Sequence, residues 1–208
     1  MKSIFDRNCK KFDAWYDKNP FAYLSELKVL KKVIPARGRG LEIGVGTGRF
    51  AAPLGIRYGV DPSKKMLAIA AKRGVRVRSG YGEKLPFRDS FFDYVAIIIT
   101  LCFVKDPYRV LIEARRVLKK GGKILIGIID KESFLGKYYR KKKSIFYAHA
   151  NFFSIQEVGN QLKGLGFRRI SYYQSIYTLP CAMRAIQRPA RGFGRGGFVV
   201  LSAIKQYV

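Results

Sequence analysis

Apolar positions along this chain change period several times, and the changes divide it into elements. Leu24, Leu27, Leu30 and Ile34 recur at helical spacing and predict an amphipathic helix early in the chain. Leu41 to Gly44 and Ile56 to Val60 are short apolar runs ending at turn residues, the pattern of buried strands. A short helix is expected to start near Thr47 between them, and another at Ser63, a residue type that caps helices. Val75 and Val77 mark a third strand. Tyr94 to Ile99 is apolar without a break, as a central strand covered on both faces would be. From Pro107 onward, Val110, Leu111, Ala114, Val117 and Leu118 share one helical side. Gly121 and Gly122 are expected to end that helix, and Lys123 to Ile129 to form the fifth strand.

Up to Asp130 the order is strand, helix, strand, which implies a parallel sheet with right-handed crossovers. The rhythm then changes. Ser154 with Glu157 makes a capping box for a helix through Leu165, and Gly166 is its stop. Strands at about 168–177 and 198–205 follow with no helix between them, so they are expected to pair antiparallel. The expected fold is α/β, with helices on both faces of the sheet, in one domain over 1–208. A helical cap is expected over about 1–36, and substrate-facing variable regions over about 131–153 and 178–197.

The turn after the first strand carries the chemistry. Gly44, Gly46 and Gly48 leave no Cβ between main chain and a ligand, and a helix N-terminus near Thr47 would aim free N–H groups at the same spot. Asp61 ends the second strand, where a carboxylate accepts both hydroxyls of a ribose. Nicotinamide-dinucleotide sites share these features, but their third small residue stands where helix and strand touch. That place is Arg49 here, and the glycine falls one residue early. Glu42, just before the turn, would repel a pyrophosphate and attract an ammonium. Both differences favour a sulfonium cofactor, S-adenosylmethionine, over a dinucleotide.

Seven motifs in order carry a resemblance: 42–48 (EIGVGTG), 59–63 (GVDPS), 82–87 (GEKLPF), 92–95 (FDYV), 106–107 (DP), 116–122 (RVLKKGG) and 164–167 (GLGF). Through them, over about residues 10 to 205, the chain resembles the class I S-adenosylmethionine-dependent methyltransferases. The likeness is to their small single-domain group of ubiquinone-biosynthesis type. The resemblance implies a Rossmann-like, seven-stranded, mostly parallel sheet with a C-terminal antiparallel strand pair. It also implies S-adenosylmethionine as cofactor and S-adenosylhomocysteine as product. Glu42 and the backbone from Gly44 through Val45 and Gly46 to Gly48 would hold the methionine end, and Asp61 the ribose. Pro62 and Met66 would flank the adenine, Thr100 would face the sulfonium, and Tyr16 from the aromatic N-terminal segment would close the pocket. Tyr81, Gly82 and Glu83 are expected around the same crevice, at its adenine end. Where many relatives have an acid for the adenine amino group this chain has Tyr81, so that contact would fall to backbone, to Glu83 or to the phenol.

Composition changes the picture in one respect. Forty-one Lys and Arg against 14 acids give a formal charge of +27, which attracts polyanions. The segment from Lys137 to Lys143 is basic and aromatic together, and Arg184, Arg188, Arg191 and Arg195 sit among glycines. An RNA or acidic-protein acceptor is therefore the alternative to a small molecule. A non-catalytic protein that binds S-adenosylmethionine or nucleic acid without turnover is the third reading. No apolar run is long enough to cross a bilayer, and no secretory segment opens the chain, so a cytoplasmic setting is expected. The three cysteines and one histidine make no metal cluster. His149, the single histidine, is the one candidate general base. Oligomeric state is not written in the sequence.

Overall fold

The computed structural model describes residues 4–142, 144–148 and 150–206. Two N-terminal helices, α1 (Ile4–Lys18) and α2 (Pro20–Val33), precede a Rossmann-like alternation. It runs β1 (Gly40–Ile43), β2 (Tyr58–Asp61), α3 (Lys64–Lys72), β3 (Arg76–Ser79), β4 (Phe92–Ile98), α4 (Pro107–Val117) and β5 (Leu118–Ile129). Then follow α5 (Phe134–Lys141), α6 (Ile155–Gly164), β6 (Phe167–Ser175), β7 (Ala190–Arg191) and β8 (Phe198–Lys205).

The strands form one sheet in the order β3-β2-β1-β4-β5-β8-β6-β7. β1 to β5 are parallel to one another, and β8 runs antiparallel between β5 and β6. The terminal strand pair is as expected. The sheet has eight strands rather than seven, because Ala190 and Arg191 add a two-residue edge strand to β6 within the second variable region.

Apolar side chains pack on both faces of the sheet. One face carries Leu27, Leu30, Leu67, Ala70 and Tyr139 from α2, α3 and α5, and the other carries Val110, Leu111, Val158 and Leu162 from α4 and α6. β4 is buried on both sides, which is why its sequence shows no alternation. Helix starts are set by short polar side chains. Ser63 accepts from Met66 N, Asp106 from Arg109 N and Ser133 from Gly136 N, while Ser154 and Glu157 close the reciprocal box predicted from sequence.

Two expectations fail at helix boundaries. α4 stops at Val117, not at Gly121, because Leu118 already pairs with Phe92 of β4; Gly121, with φ 72°, absorbs an irregularity within β5. No regular helix forms after Thr47. Gly48 O and Phe50 O each accept from the residue four positions on, but Pro53 has no N–H to give Arg49 O. The Tyr23 hydroxyl takes that carbonyl instead, so the segment remains a chain of turns tied to α2.

Strand order reverses between β1 and β4, each of which neighbours the other while their crossovers leave in opposite directions. The crevice outside their carboxyl ends is where ligands bind in open sheets of this kind.

Candidate active site

The turn leaving β1 is forced by close approach. Gly44 has φ 71°, and a Cβ on it would stand 2.2 Å from Thr100 Cγ2, so only glycine lets β1 and β4 end side by side. Gly48, with φ 80°, lies against α3, where a Cβ would meet Ala70 Cα at 3.2 Å. Gly46 N donates to Asp61 Oδ2 at 3.0 Å and Ser63 N to Asp61 Oδ1 at 2.8 Å. Two backbone donors thus fix the orientation of that carboxylate at the end of β2. Burial raises the Asp61 pKa, with the two backbone bonds opposing the rise.

A cavity of about 310 Å³ opens at this place. Glu42, Gly44, Val45, Gly46, Asp61, Pro62, Met66, Tyr81, Gly82, Glu83, Thr100 and Tyr16 all border it, so the structure gathers residues from 16 to 100 into one wall. Gly48 does not border it; its contact is with α3. Tyr81 is largely exposed at the rim. Glu83 Oε1 accepts from Lys105 N and Asp106 N, which ties the rim to the start of α4. His149 and Lys143 lie outside the described residues. Burial pushes the Cys102 thiol up to about 12, which removes it as a nucleophile near neutral pH.

Glu42 is the unusual group in the wall. It is 1 % exposed; one oxygen accepts from Ala51 N, and Oε2 has no hydrogen-bond partner. Burial drives its pKa well above the carboxylate range, with Asp61 adding to the rise. An orphaned carboxyl oxygen in the wall of a ligand-sized cavity is a polar group left without a partner, a costly arrangement for the fold alone.

Ile99 leaves β4 with φ 49°, a conformation rare for a β-branched residue, and it borders the cavity beside Thr100. Strain of this kind is held by surrounding structure at ligand sites. Nothing in the apolar run 94–99 marks it in advance.

Tyr16 was expected to close the pocket, but nothing in the sequence marked Phe5 or the charge network that holds α1. Phe5, Phe12 and Tyr16 of α1 cover the cavity, and Phe5 meets Phe103 at 5.0 Å across it. A four-member network holds α1 there. Asp13 accepts from Arg49 Nε and Nη2 at 2.9 and 2.7 Å and from Arg73 Nη1 and Nη2 at 2.8 Å each, while Thr47 donates to it at 2.6 Å. Burial works to raise the Asp13 pKa, but Arg73, Arg49 and Thr47 hold it well below the usual range. Arg49, which departs from the dinucleotide pattern, is thus the residue that clamps the lid.

A family model described as a methyltransferase domain matches residues 41–126, the stretch from β1 to β5. The chain is 50% identical over 205 residues to an uncharacterized protein of Methanocaldococcus jannaschii, covering 98% of this chain and 99% of that one. It is 32% identical over 152 residues to the demethylmenaquinone methyltransferase of Thermotoga maritima, covering 65% of this chain and 66% of the other. A crystal structure described as an S-adenosylmethionine-dependent methyltransferase, possible histamine N-methyltransferase, from Thermotoga maritima superposes with a TM-score of 0.95. It is 46% identical and covers 98% of this chain and 99% of its own. Fold, glycine turn, acid-ended second strand and these likenesses agree: the chain belongs to the S-adenosylmethionine-dependent methyltransferases.

Proposed function

We propose that this enzyme transfers a methyl group from S-adenosylmethionine to a small-molecule acceptor held beneath α1. The observation that carries the cofactor's placement is Glu42 Oε2, buried in the cavity wall without a partner, which fits the ammonium of a methionine moiety. Asp61, already oriented by Gly46 N and Ser63 N, has lone pairs left for ribose hydroxyls. Met66 and Pro62 offer apolar surface to adenine. With Glu83 Oε1 bound to the backbone of Lys105 and Asp106, the adenine amino group falls to backbone near Tyr81 and Gly82. Gly48 acts through the turn it permits.

When bound, the cofactor supplies an electrophilic methyl group on a sulfonium. The protein's own contribution is alignment and exclusion of water: Thr100 and Ile99 form the floor, and Tyr16, Phe12 and Phe5 the cover. Alignment of this kind is worth effective molarities of about 10⁵ M or more. An enclosed aromatic cover suits a small acceptor rather than a polymer. The similar proteins named above carry small-molecule acceptors in their descriptions, demethylmenaquinone in one and histamine in another.

The test combines calorimetric titration with S-adenosylhomocysteine and transfer of a tritiated methyl group into a cell lysate separated into small molecules, protein and RNA. Binding of S-adenosylhomocysteine with label among the small molecules is the expected result. Label in RNA alone would refute the small-molecule reading and move the acceptor site to the basic surface.

A further inference from the structure

The end of the sheet away from the cofactor cavity holds a guanidinium without an acceptor. Arg115, in the last turn of α4, is half-buried, and its Nε is buried with no hydrogen-bond partner. No carboxylate among the described residues pairs with it. Its neighbour in sequence shows the contrast. Arg116 donates to Glu113 at 2.7 Å and to Asp89 at 2.6 Å, so the two acids nearest in the chain fold are already taken. A buried N–H left unpaired costs stability, and no contact among the described residues offsets that cost at Arg115.

Space for a ligand lies beside it. An open groove of about 640 Å³ is bordered by Arg115, Arg116, Lys205, Ser90 and Gly166, and by Asp89, which Arg116 neutralises. Gly166, with φ 77°, puts no side chain in front of the guanidinium; a Cβ there would stand 3.7 Å from Arg115 Nη2. Lys205, at the end of β8, donates to Arg115 O at 2.7 Å and to Leu118 O at 2.6 Å, which fixes its ammonium beside the Arg115 backbone and leaves one N–H. Burial and then the Arg115 charge lower the Lys205 pKa, a repulsion that a bound anion relieves. Ser90, with φ 51°, brings a hydroxyl to the same groove from the loop before β4.

We propose that this groove is an anion site, in which a phosphate group lies across the Arg115 guanidinium and takes further hydrogen bonds from Lys205 and Ser90. The fork of Arg115 accepts two oxygens of one oxyanion side by side. Donors from three elements favour a tetrahedral phosphate, with oxygens in several directions, over a planar carboxylate. The site stands apart from methyl transfer. Ser90 precedes β4 and Arg115 precedes β5, so the groove lies at the amino ends of the parallel strands, whereas the cofactor cavity lies at their carboxyl ends. A small phosphorylated compound and an RNA strand present the same chemistry here, and the experiment separates them.

That experiment is calorimetry on the full chain at fixed ionic strength, with pyrophosphate and a short oligouridylate as probes. Arg115→Gln should weaken binding by about tenfold or more, the loss of a charge-assisted contact. Lys28→Gln removes the same charge from α2, on the opposite face of the sheet, and should change it by less than about twofold. Arg115→Lys keeps the charge without the fork and should lie between. S-adenosylhomocysteine affinity should stay within about twofold throughout, which shows that the variants fold and that this site is separate from the cavity. An Arg115-dependent loss for pyrophosphate makes the ligand a small phosphorylated compound, and one confined to the oligonucleotide makes it a strand. No binding of either probe, or equal losses in Arg115→Gln and Lys28→Gln, reduces the groove to diffuse attraction by net charge and overturns the proposal. If Arg115→Gln does not fold, amide chemical shifts in the unmodified protein decide: pyrophosphate should move Gly164 and Gly166 and leave Gly44 and Gly46 in place, and the reverse pattern overturns the site.

Discussion

Replacing Asp13 by Ala tests whether the lid is held by charge. Asp13 and Asp17 both meet Arg49 Nη2 at 2.7 Å, so distance alone predicts equal effects. Burial separates them. The Asp13 side chain is 17% exposed and also binds Arg73 and Thr47, whereas that of Asp17 is 66% exposed. Hydrogen bonds to charged groups are worth about 1.5–3 kcal/mol each when partly buried, and removing Asp13 leaves two guanidiniums facing one another. With a discount for the water that reaches them, the loss should be about 2–3 kcal/mol. That corresponds to about 5 to 10 °C in a domain of this size. Asp17→Ala should cost less than about 1 kcal/mol, as exposed pairs do. Urea denaturation measures both, and hydrogen exchange of α1 amides shows where the loss falls. Because the folded Asp13 pKa is lowered, its contribution is complete above the unfolded value of about 4 and disappears as pH falls below it. The gap between wild type and Asp13→Asn should therefore hold from pH 8 to about 5 and narrow toward about pH 2. Equal losses in the two alanine variants, or a gap that does not change with acid, would refute the reasoning.

Asp61→Ala removes the acceptor for two backbone N–H groups as well as the proposed ribose partner, and titration should show S-adenosylhomocysteine binding weakened by about 10- to 100-fold. Gly44→Ala and Gly55→Ala separate crowding from backbone strain. Both positions have positive φ, but a Cβ at Gly44 meets Thr100 at 2.2 Å while nothing lies within 4 Å at Gly55, so urea midpoints should fall far more for the first; Gly55→Ala should cost about 1 kcal/mol. Glu42→Gln is nearly isosteric and should keep the fold, and it should weaken S-adenosylhomocysteine binding by about tenfold or more in calorimetry. Replacing Lys137, Lys141 and Lys142 by Gln leaves methylation of a small acceptor unchanged if α5 is only a basic exterior, and a rate assay decides this.

Most of the sheet was legible because its signals are local. An unbroken apolar run, a glycine turn and a capping box each act within a few residues, and each appears where the pattern placed it. Boundaries were lost where a distant partner decided them. β5 begins early because Phe92 stands ready to pair with Leu118, and the turn after Thr47 stays irregular because Pro53 frees a carbonyl that Tyr23 takes from α2. α5 went unread since its basic residues dominate the composition, yet Leu135 and Tyr139 are buried on its inner side. The lid clamp joins Asp13 to Arg73 across 60 positions, and no spacing rule reaches that far. Glu26 is the clearest case. In sequence it is one more polar residue on an amphipathic helix, and only the packing of α2 against α1 and the sheet turns it into a buried acid.

The distribution of charge supports cationic ligands within this basic protein. Of 14 acids against 41 Lys and Arg, Glu26 and Glu42 are buried with an oxygen unpaired, and Tyr16 is electrostatically coupled to both. The excess cations lie mostly outside, where salt screens them over about 8 Å at physiological strength. In the cavity wall the Glu42 carboxyl is much closer to a ligand than the exterior cations are, so local charge outweighs the net charge. S-adenosylmethionine carries one net positive charge. Long-range repulsion opposes its approach and does not act on an uncharged acceptor, so added salt should leave their affinity unchanged or raise it. Binding of RNA to the same surface must weaken steeply with salt, with a log–log slope of about −0.7 per neutralised phosphate on a single strand. The two acceptor classes therefore predict opposite signs for one measurement. A Michaelis constant for the acceptor that holds or falls as salt rises identifies the pocket as the functional surface, and one that climbs identifies the exterior.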